Sequence, residues 1–534
     1  MQRKLTLLAI GLALAVSGLA FATAGANDTI KIEGGLISGT TADGVRSFKG
    51  IPFAAPPVGE LRWKAPQPVA PWQGVRECNV FGAECPQSPY PAGSLYVSPP
   101  QKQSEDCLYL NVWTAAKSGD KLPVMVWIHG GGLTRGSGST RAYDGARFAK
   151  KGVVLVTINY RLGPLGYLAH PDLTAESSNH SSGNYGVLDQ IAALKWVRKN
   201  IAAFGGDINR VTIFGESAGS WSVNTLVASP LAKGLFQRAI GESGGAFGPM
   251  SYLKEDRGRL TSAEKIGVAF AKAAGADSLK ALRAVPADKI VDIFNNDAEG
   301  KKFRTQPTVD GWVLPDEIRN IYAQGKQNSV PVIVGSNANE MSSLTVPASV
   351  PKTVDEYRKR TAAMYGKMMD AFEALYPTKS DADVAGAYLG GLRDATFTLQ
   401  MRTWARMTTA GHQKAYLYFF SHVPPNPNSK DLGAYHAGEI AYVFNNLNRE
   451  NSLLTDADQK LADMMTSYWV NFATTGDPNG KGLPAWSPYT SDGEPYLDLG
   501  DPVQLRNHLL KEQLDFQEQL QKHREEETTA ASRK

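Results

Sequence analysis

The stretch Gly215-Glu216-Ser217-Ala218-Gly219 sets one serine two places from a glycine on either side. The apolar run Val211-Thr212-Ile213-Phe214 precedes it, and a helix-like stretch follows. This spacing fits G-x-S-x-G, a strand-to-helix turn that holds a serine hydroxyl above a sheet. Small residues two positions before and after the serine let strand and helix approach closely, and the turn itself is strained. Ser217 is therefore the candidate nucleophile. A serine hydroxyl attacks poorly at its own pKa, so a base must take its proton and an acid must orient that base.

In strand-turn-helix sites of this kind the chain order is serine, acid, histidine. Of the eight histidines, His129, His170 and His180 precede the serine. His129 opens a glycine loop and reads as a structural brace. His412 and His422 flank "KAYLYFF", a strand-like run, and read as structural, while His508 and His523 lie in the polar C-terminal region. His436 sits in "GAYHAGEIAYVF", a glycine-containing loop before an apolar run, and is the favoured base. Two acids compete. Asp310 in "TVDGWVLP" reads as a turn, whereas Glu340 in "GSNANE" follows the strand-like "VPVIV", where a triad acid belongs. Acyl transfer also needs donors for a developing oxyanion. "HGGG", His129 to Gly132, follows a strand-like run, so the N–H groups of Gly131, Gly132 and Ala218 are the candidate donors.

These residues need a scaffold that holds them at strand ends. "VMVWIHGGG", "VVLVTINYRLG", "VTIFGESAG" and "VPVIVGSNANE" are continuous apolar, β-rich runs. Between them "NYGVLDQIAALKWVRKNIAAFGG" carries apolar residues at helical spacing and closes on glycines. Apolar strands alternating with helices predict an α/β chain with a large, mostly parallel central sheet covered on both faces. Chemistry in such sheets sits at the carboxyl ends of strands. Residues 252–322 and 347–412 turn more helical and more charged, and are expected to be insertions that shape a substrate gorge. The last segment, from "LLKEQLDFQEQL" on, reads as a polar helix with a solvated face that frays into a tail.

The composition narrows the classes. The chain has 534 residues, 42% hydrophobic and 20% charged, which is ample for a large core. A formal net charge of +4 is too small to argue for nucleic acid or an anionic membrane surface. The start, "MQRKLTLLAIGLALAVSGLAFATAGAND", has a basic n-region at Arg3 and Lys4, an apolar run from Leu5 to Ala20, and small residues near Ala24 and Ala26. It reads as a signal peptide over 1–24, leaving 25–534 as one domain, exported to periplasm or medium. The run is short for a span of about 20 residues, and no later run is long enough, so no membrane span is expected. No Cys/His cluster has metal-ligand spacing, and neither a P-loop nor G-x-G-x-x-G is present, so no metal and no cofactor are expected. Export favours a disulfide among Cys78, Cys85 and Cys107, and spacing alone leaves the pairing open.

With those residues placed, the chain resembles the type-B carboxylesterases, the cholinesterase-like branch of the α/β-hydrolases. The resemblance rests on "FKGIPFAAPPVGELRWKAPQP", "SEDCLYLNVW", "PVMVWIHGGG", "VVLVTINYRLGPLGYL", "GNYGVLDQIAALKWVRKNIAAFGGD", "VTIFGESAG", "GAYHAGEIAYVF" and "WVNFATTGDPN", spread over nearly the whole mature chain. It implies the α/β-hydrolase fold, Ser217 as nucleophile, Glu340 as acid, His436 as base, and a small-molecule ester as substrate. It also implies a Cys85–Cys107 disulfide, with Cys78 free. Met341 departs from the pattern, since the family's acid is often followed by glycine. The alternatives are a lipase-like esterase for long-chain acyl esters and a non-catalytic cholinesterase-like binding protein. The second class has lost triad members, and here all three residues are present.

Overall fold

Each of the four apolar runs forms a strand, and the first, third and fourth end at the residues singled out for chemistry. The computed structural model describes residues 29–532 except 92, 118, 297–302, 304–305 and 449–450. The proposed signal peptide lies outside the described residues. Eleven strands form the main sheet. From one edge the order is Gln504–Asn507, Pro495–Leu499, Ala415–Phe420, Val332–Asn337, Arg238–Glu242, Gly206–Glu216, Leu122–Ile128, Val154–Ile158, Tyr109–Thr114, Val45–Pro52 and Thr40–Ala42. The seven strands from Pro495–Leu499 to Val154–Ile158 pair in parallel. The outer pairings are antiparallel.

The central strands are buried along almost their whole length, as runs such as VMVWI and VLVTI require when both faces are covered. The helix Tyr185–Asn200 covers one face, with Val187, Ile191, Leu194 and Val197 in the core beside Val124, Val126 and Ile213. On the other face the helix Asp456–Thr475 packs Leu461, Met465, Trp469 and Phe472 against Met125, Trp127, Phe214 and Tyr418.

Both insertions are helical. Ala263–Ala273, Leu279–Ala284, Ala287–Asn295 and Ile318–Ala323 lie between the strands ending at Glu242 and Asn337. Val354–Tyr365, Met369–Leu375, Asp381–Arg393 and Leu399–Ala410 lie between those ending at Asn337 and Phe420. A π-helical turn, Asp394–Thr398, interrupts the last pair and carries the Phe397 ring to 4.9 Å from His436.

The C-terminal segment corrects the sequence expectation. Lys511–Ser532 is helical, but its first half is not a solvated face. Leu514, Phe516 and Leu520 are buried, Phe516 and Leu520 against Tyr365 and Phe372 of the second insertion. Asp515 and Glu518 pair with Arg402 and Arg406 of the same insertion. Among the described residues no helix is long and apolar enough to cross a membrane.

Candidate active site

The elbow is built by close approach. A Cβ on Gly219 would lie 2.0 Å from the Ile128 carbonyl oxygen. One on Gly215 would lie 2.5 Å from that same oxygen and 2.7 Å from Gly219 itself. The two glycines therefore let the elbow strand, its neighbour and the following helix Ala218–Ala228 meet at one point. Ser217 takes φ 57° and ψ −121°, a backbone that L-residues avoid. Its N–H donates to the Glu242 carbonyl at 2.8 Å, which pins the turn to the next strand. Ser217 itself remains partly exposed at the surface of the site.

The candidate acid and the candidate base meet directly. His436 Nδ1 lies 2.6 Å from Glu340 Oε2 in a hydrogen bond, and both residues are buried. Glu340 is the first residue of a short helix, Glu340–Leu344, and its other oxygen accepts the Asn337 N–H at 2.7 Å. His436 follows the loop that leaves the strand Ala415–Phe420. Asn339 clasps that loop in both directions at Ala434, and the Asn337 amide donates to the Tyr435 carbonyl at 2.8 Å. Asp310, the competing acid, is a turn residue. Its Oδ1 accepts the N–H groups of Trp312, Val313 and Leu314, and its Oδ2 accepts Ser181 at 2.5 Å.

The serine is not hydrogen-bonded to the base. Among the described residues no hydrogen bond involves the Ser217 hydroxyl, and His436 Nε2 faces Glu216 Oε1 at 3.0 Å. That contact is an ion-pair distance without hydrogen-bond alignment, since Glu216 Oε1 has no hydrogen-bond partner. Catalytic hydrogen bonds without substrate are often long and tighten when the substrate arrives.

The glycine loop supplies the remaining groups. Gly131 has φ +101° and Gly132 φ +64°. A Cβ on Gly131 would lie 2.2 Å from the Arg135 carbonyl oxygen, so only glycine fits. Among the described residues nothing accepts from the N–H groups of Gly131 and Gly132. Ala218 opens its helix, where the N–H has no intrahelical acceptor. His129 is the brace predicted for it. Its ring stacks on Tyr160 at 4.5 Å, and burial pushes its pKa down to about 4, so it stays neutral.

The sequence did not reveal a cluster of buried carboxyl groups around the base. Glu216, Glu242, Glu340 and Glu439 are all buried. Parallel register sets Glu242 beside Glu216 on neighbouring strands. Burial drives the Glu242 carboxyl well above its ordinary range, with Glu439 adding to the effect, although Trp469 Nε1 donates to it at 2.8 Å. Burial, then Glu216 and Glu340, raise Glu439 to about 8. Glu216 is raised by burial against the opposing pull of His436. Burial opposes charge on His436 too, but the facing Glu216 and Glu340 outweigh it, and its pKa stands well above the imidazole value. Glu439 lies three residues after His436, so its nearness was available to inspection, whereas Glu242 required the strand pairing.

Cys85 and Cys107 form the disulfide, and Cys78 is free and buried. Burial raises the Cys78 thiol to about 11, far from thiolate chemistry.

Comparison with known proteins places this geometry. Residues 26–517 match the carboxylesterase family. The chain is 39% identical over 477 residues to a fumonisin B1 esterase of Sphingopyxis macrogoltabida, covering 86% of this chain and 84% of that one. It is 35% identical over 481 residues to a para-nitrobenzyl esterase of Bacillus subtilis, covering 89% and 95%. A solved PNB esterase superposes with a TM-score of 0.77 at 34% identity, covering 92% of this chain and 99% of the other. The chain belongs to the carboxylesterase family. It has the α/β-hydrolase fold and is a carboxylic ester hydrolase.

Proposed function

We propose that the protein is an exported serine carboxylesterase that works through an acyl-enzyme on Ser217. The observation that carries the reading is the buried 2.6 Å bond between His436 Nδ1 and Glu340 Oε2, with Glu216, the neighbour of a serine held on a strained turn, 3.0 Å from His436 Nε2. Ser217 Oγ attacks the ester carbonyl while His436 Nε2 takes its proton. Glu340 fixes the tautomer and stabilises the imidazolium. The N–H groups of Gly131, Gly132 and Ala218 receive the tetrahedral oxyanion. His436 then gives its proton to the leaving alcohol. Water, deprotonated by His436, attacks the acyl-enzyme; as the bond to Ser217 Oγ breaks, His436 returns the proton to that oxygen and the acid is released.

Residues 1–24 act as the export signal, and 25–534 act as one catalytic domain whose helical insertions line the approach to Ser217. The substrate is a small-molecule ester. The names of its relatives make para-nitrobenzyl esters and fumonisin B1 the first compounds to offer it.

The test is hydrolysis of p-nitrophenyl acetate and butyrate by the wild type and Ser217→Ala, with mass spectrometry after a fluorophosphonate probe. Activity lost in the variant, with one adduct on Ser217 in the wild type, supports the reading. Equal rates and no adduct would leave a binding protein. A jump in rate above the substrate's micelle concentration would move the assignment to a lipase.

A further inference from the structure

Among the bonds that hold the segment closed by the Cys85–Cys107 disulfide, 22 residues apart, two sets reach the loops of the candidate site. Its root is tied to the glycine loop. The Gln87 side chain donates to the Gly136 carbonyl at 2.9 Å and accepts the Gly136 N–H at 2.7 Å, and Arg135 Nε donates to the Ser88 carbonyl at 3.2 Å. Its tip is held differently. Leu95 and Val97, on either side of Tyr96, are 41% and 55% exposed, so the neighbouring apolar side chains do not bury the tip. The hold comes from Tyr96. Its hydroxyl donates to the main-chain carbonyl of His436 at 3.0 Å and lies 2.8 Å from Ser343 Oγ. With one phenolic proton given to His436, the serine hydroxyl is the donor in the second bond.

That one phenol touches both segments that carry the acid and the base. Ser343 belongs to the helix that begins at Glu340. Besides the Glu340–His436 bond itself, the other ties between these segments reach Leu432, Ala434, Tyr435 and Glu439, and none of them touches the peptide of His436. Among the described residues, Tyr96 alone donates to the peptide of His436. The next residue, Ala437, has φ +65°, an unfavourable backbone for alanine that the surroundings must hold. The phenol's own pKa is raised by burial, so it remains a donor over the working range of pH.

We infer that Tyr96 is a positioning residue: it latches the disulfide-closed segment onto the His436 peptide and the Glu340 helix, and so keeps base against acid. The inference rests on the serine-esterase reading above. His436 is faced by Glu340 at Nδ1, by Glu216 at Nε2 and by the Phe397 ring, and it also interacts through charge with Glu439. A loosened latch lets the imidazole drift from Glu340 and lose part of that carboxylate support.

The experiment compares wild type, Tyr96→Phe, Ser343→Ala, Cys85→Ser/Cys107→Ser and the combination of Tyr96→Phe with the cysteine pair. The readouts are kcat, KM and the pH profile of kcat/KM on p-nitrophenyl butyrate, with melting temperature alongside. Tyr96→Phe should lower kcat about 3-fold to 10-fold, the worth of one hydrogen bond, with KM within about twofold. The acid limb of the profile should move to lower pH. Ser343→Ala should show a weaker form of both effects. The cysteine pair should reproduce the loss, and adding Tyr96→Phe should cost nothing more, as expected of one coupled unit. If the cysteine variant does not fold, Tyr96→Phe and Ser343→Ala decide alone. A lowered melting temperature with kcat and the acid limb unchanged, or fully additive losses, would overturn the latch. Ser217→Ala separates the two claims: if it keeps full activity, the esterase mechanism fails and not the latch alone.

Discussion

Glu216 and His436 face each other at 3.0 Å, so the imidazole lies between two carboxylates, Glu340 on Nδ1 and Glu216 on Nε2. Glu216 belongs to the elbow itself, next to Ser217, the proposed nucleophile. Two negative charges favour the imidazolium and raise the pKa of His436 despite its burial. A general base must be neutral to act, so kcat/KM should fall as pH drops through that raised value. Glu216→Gln removes one of the two charges. Its acid limb should move to lower pH by about one unit, the low end of what one close charge does. A pH–rate series from 5 to 9 on both proteins checks this. An unmoved limb would mean that Glu216 does not bear on the base in solution.

Gly219→Ala tests the elbow's geometry. The new methyl would lie 2.0 Å from the Ile128 carbonyl oxygen and 3.0 Å from the His129 carbonyl carbon. Both neighbours are backbone and cannot rotate away. The expected cost is about 3 kcal/mol or more, with loss of Ser217 labelling by a fluorophosphonate. Calorimetry and the labelling assay read the two effects. A variant that melts and labels like the wild type would show that the strand and helix can separate freely.

The elbow, the strands behind it and the position of the candidate acid Glu340 were legible because local chemistry dictates them. The glycines flanking Ser217 have no other use, and Val332–Asn337 ends in a residue with a carboxylate three positions on. Asp310 was separable from Glu340 for the same reason, since an Asx turn is written in Asp-Gly. What escaped depends on distant segments. Glu242 joins Glu216 only through the register of two parallel strands. Tyr96 reaches His436 across 340 residues. The C-terminal helix looked solvated because its polar face meets Arg402 and Arg406, more than a hundred residues earlier, in ion pairs that no hydrophobic periodicity records.

Gly131→Ala and Gly132→Ala should differ, although both positions have positive φ. A methyl on Gly131 runs into the Arg135 carbonyl oxygen at 2.2 Å, whereas one on Gly132 meets only Thr134 Oγ1 at 3.8 Å. Gly131→Ala must move the loop and with it a proposed oxyanion donor. Its kcat should drop about 10²-fold to 10³-fold. Gly132→Ala pays only the left-handed backbone penalty of about 1–2 kcal/mol, so its kcat should fall about tenfold or less. Steady-state kinetics on p-nitrophenyl acetate distinguishes them. Equal losses would mean that backbone conformation, and not the clash, governs the loop.

Glu439 is a buried acid whose folded-state pKa is about 8, raised first by burial and then by Glu216 and Glu340. Its unfolded value is about 4.3. Between those two values the folded protein holds the proton and the unfolded chain does not. Stability linked to this group is therefore complete below about pH 4.3 and is lost as pH rises toward about 8. Above that range the cost of a buried carboxylate is fully felt. Glutamine keeps an oxygen to accept the Asn337 amide, which donates to Glu439 Oε2 at 2.5 Å, but it cannot ionise. Glu439→Gln should therefore match the wild type near pH 5 and melt increasingly above it as pH rises to 8. Denaturation curves across that range check the slope. Parallel curves for the two proteins would place the Glu439 ionisation in water-like surroundings and remove it from the cluster behind the base.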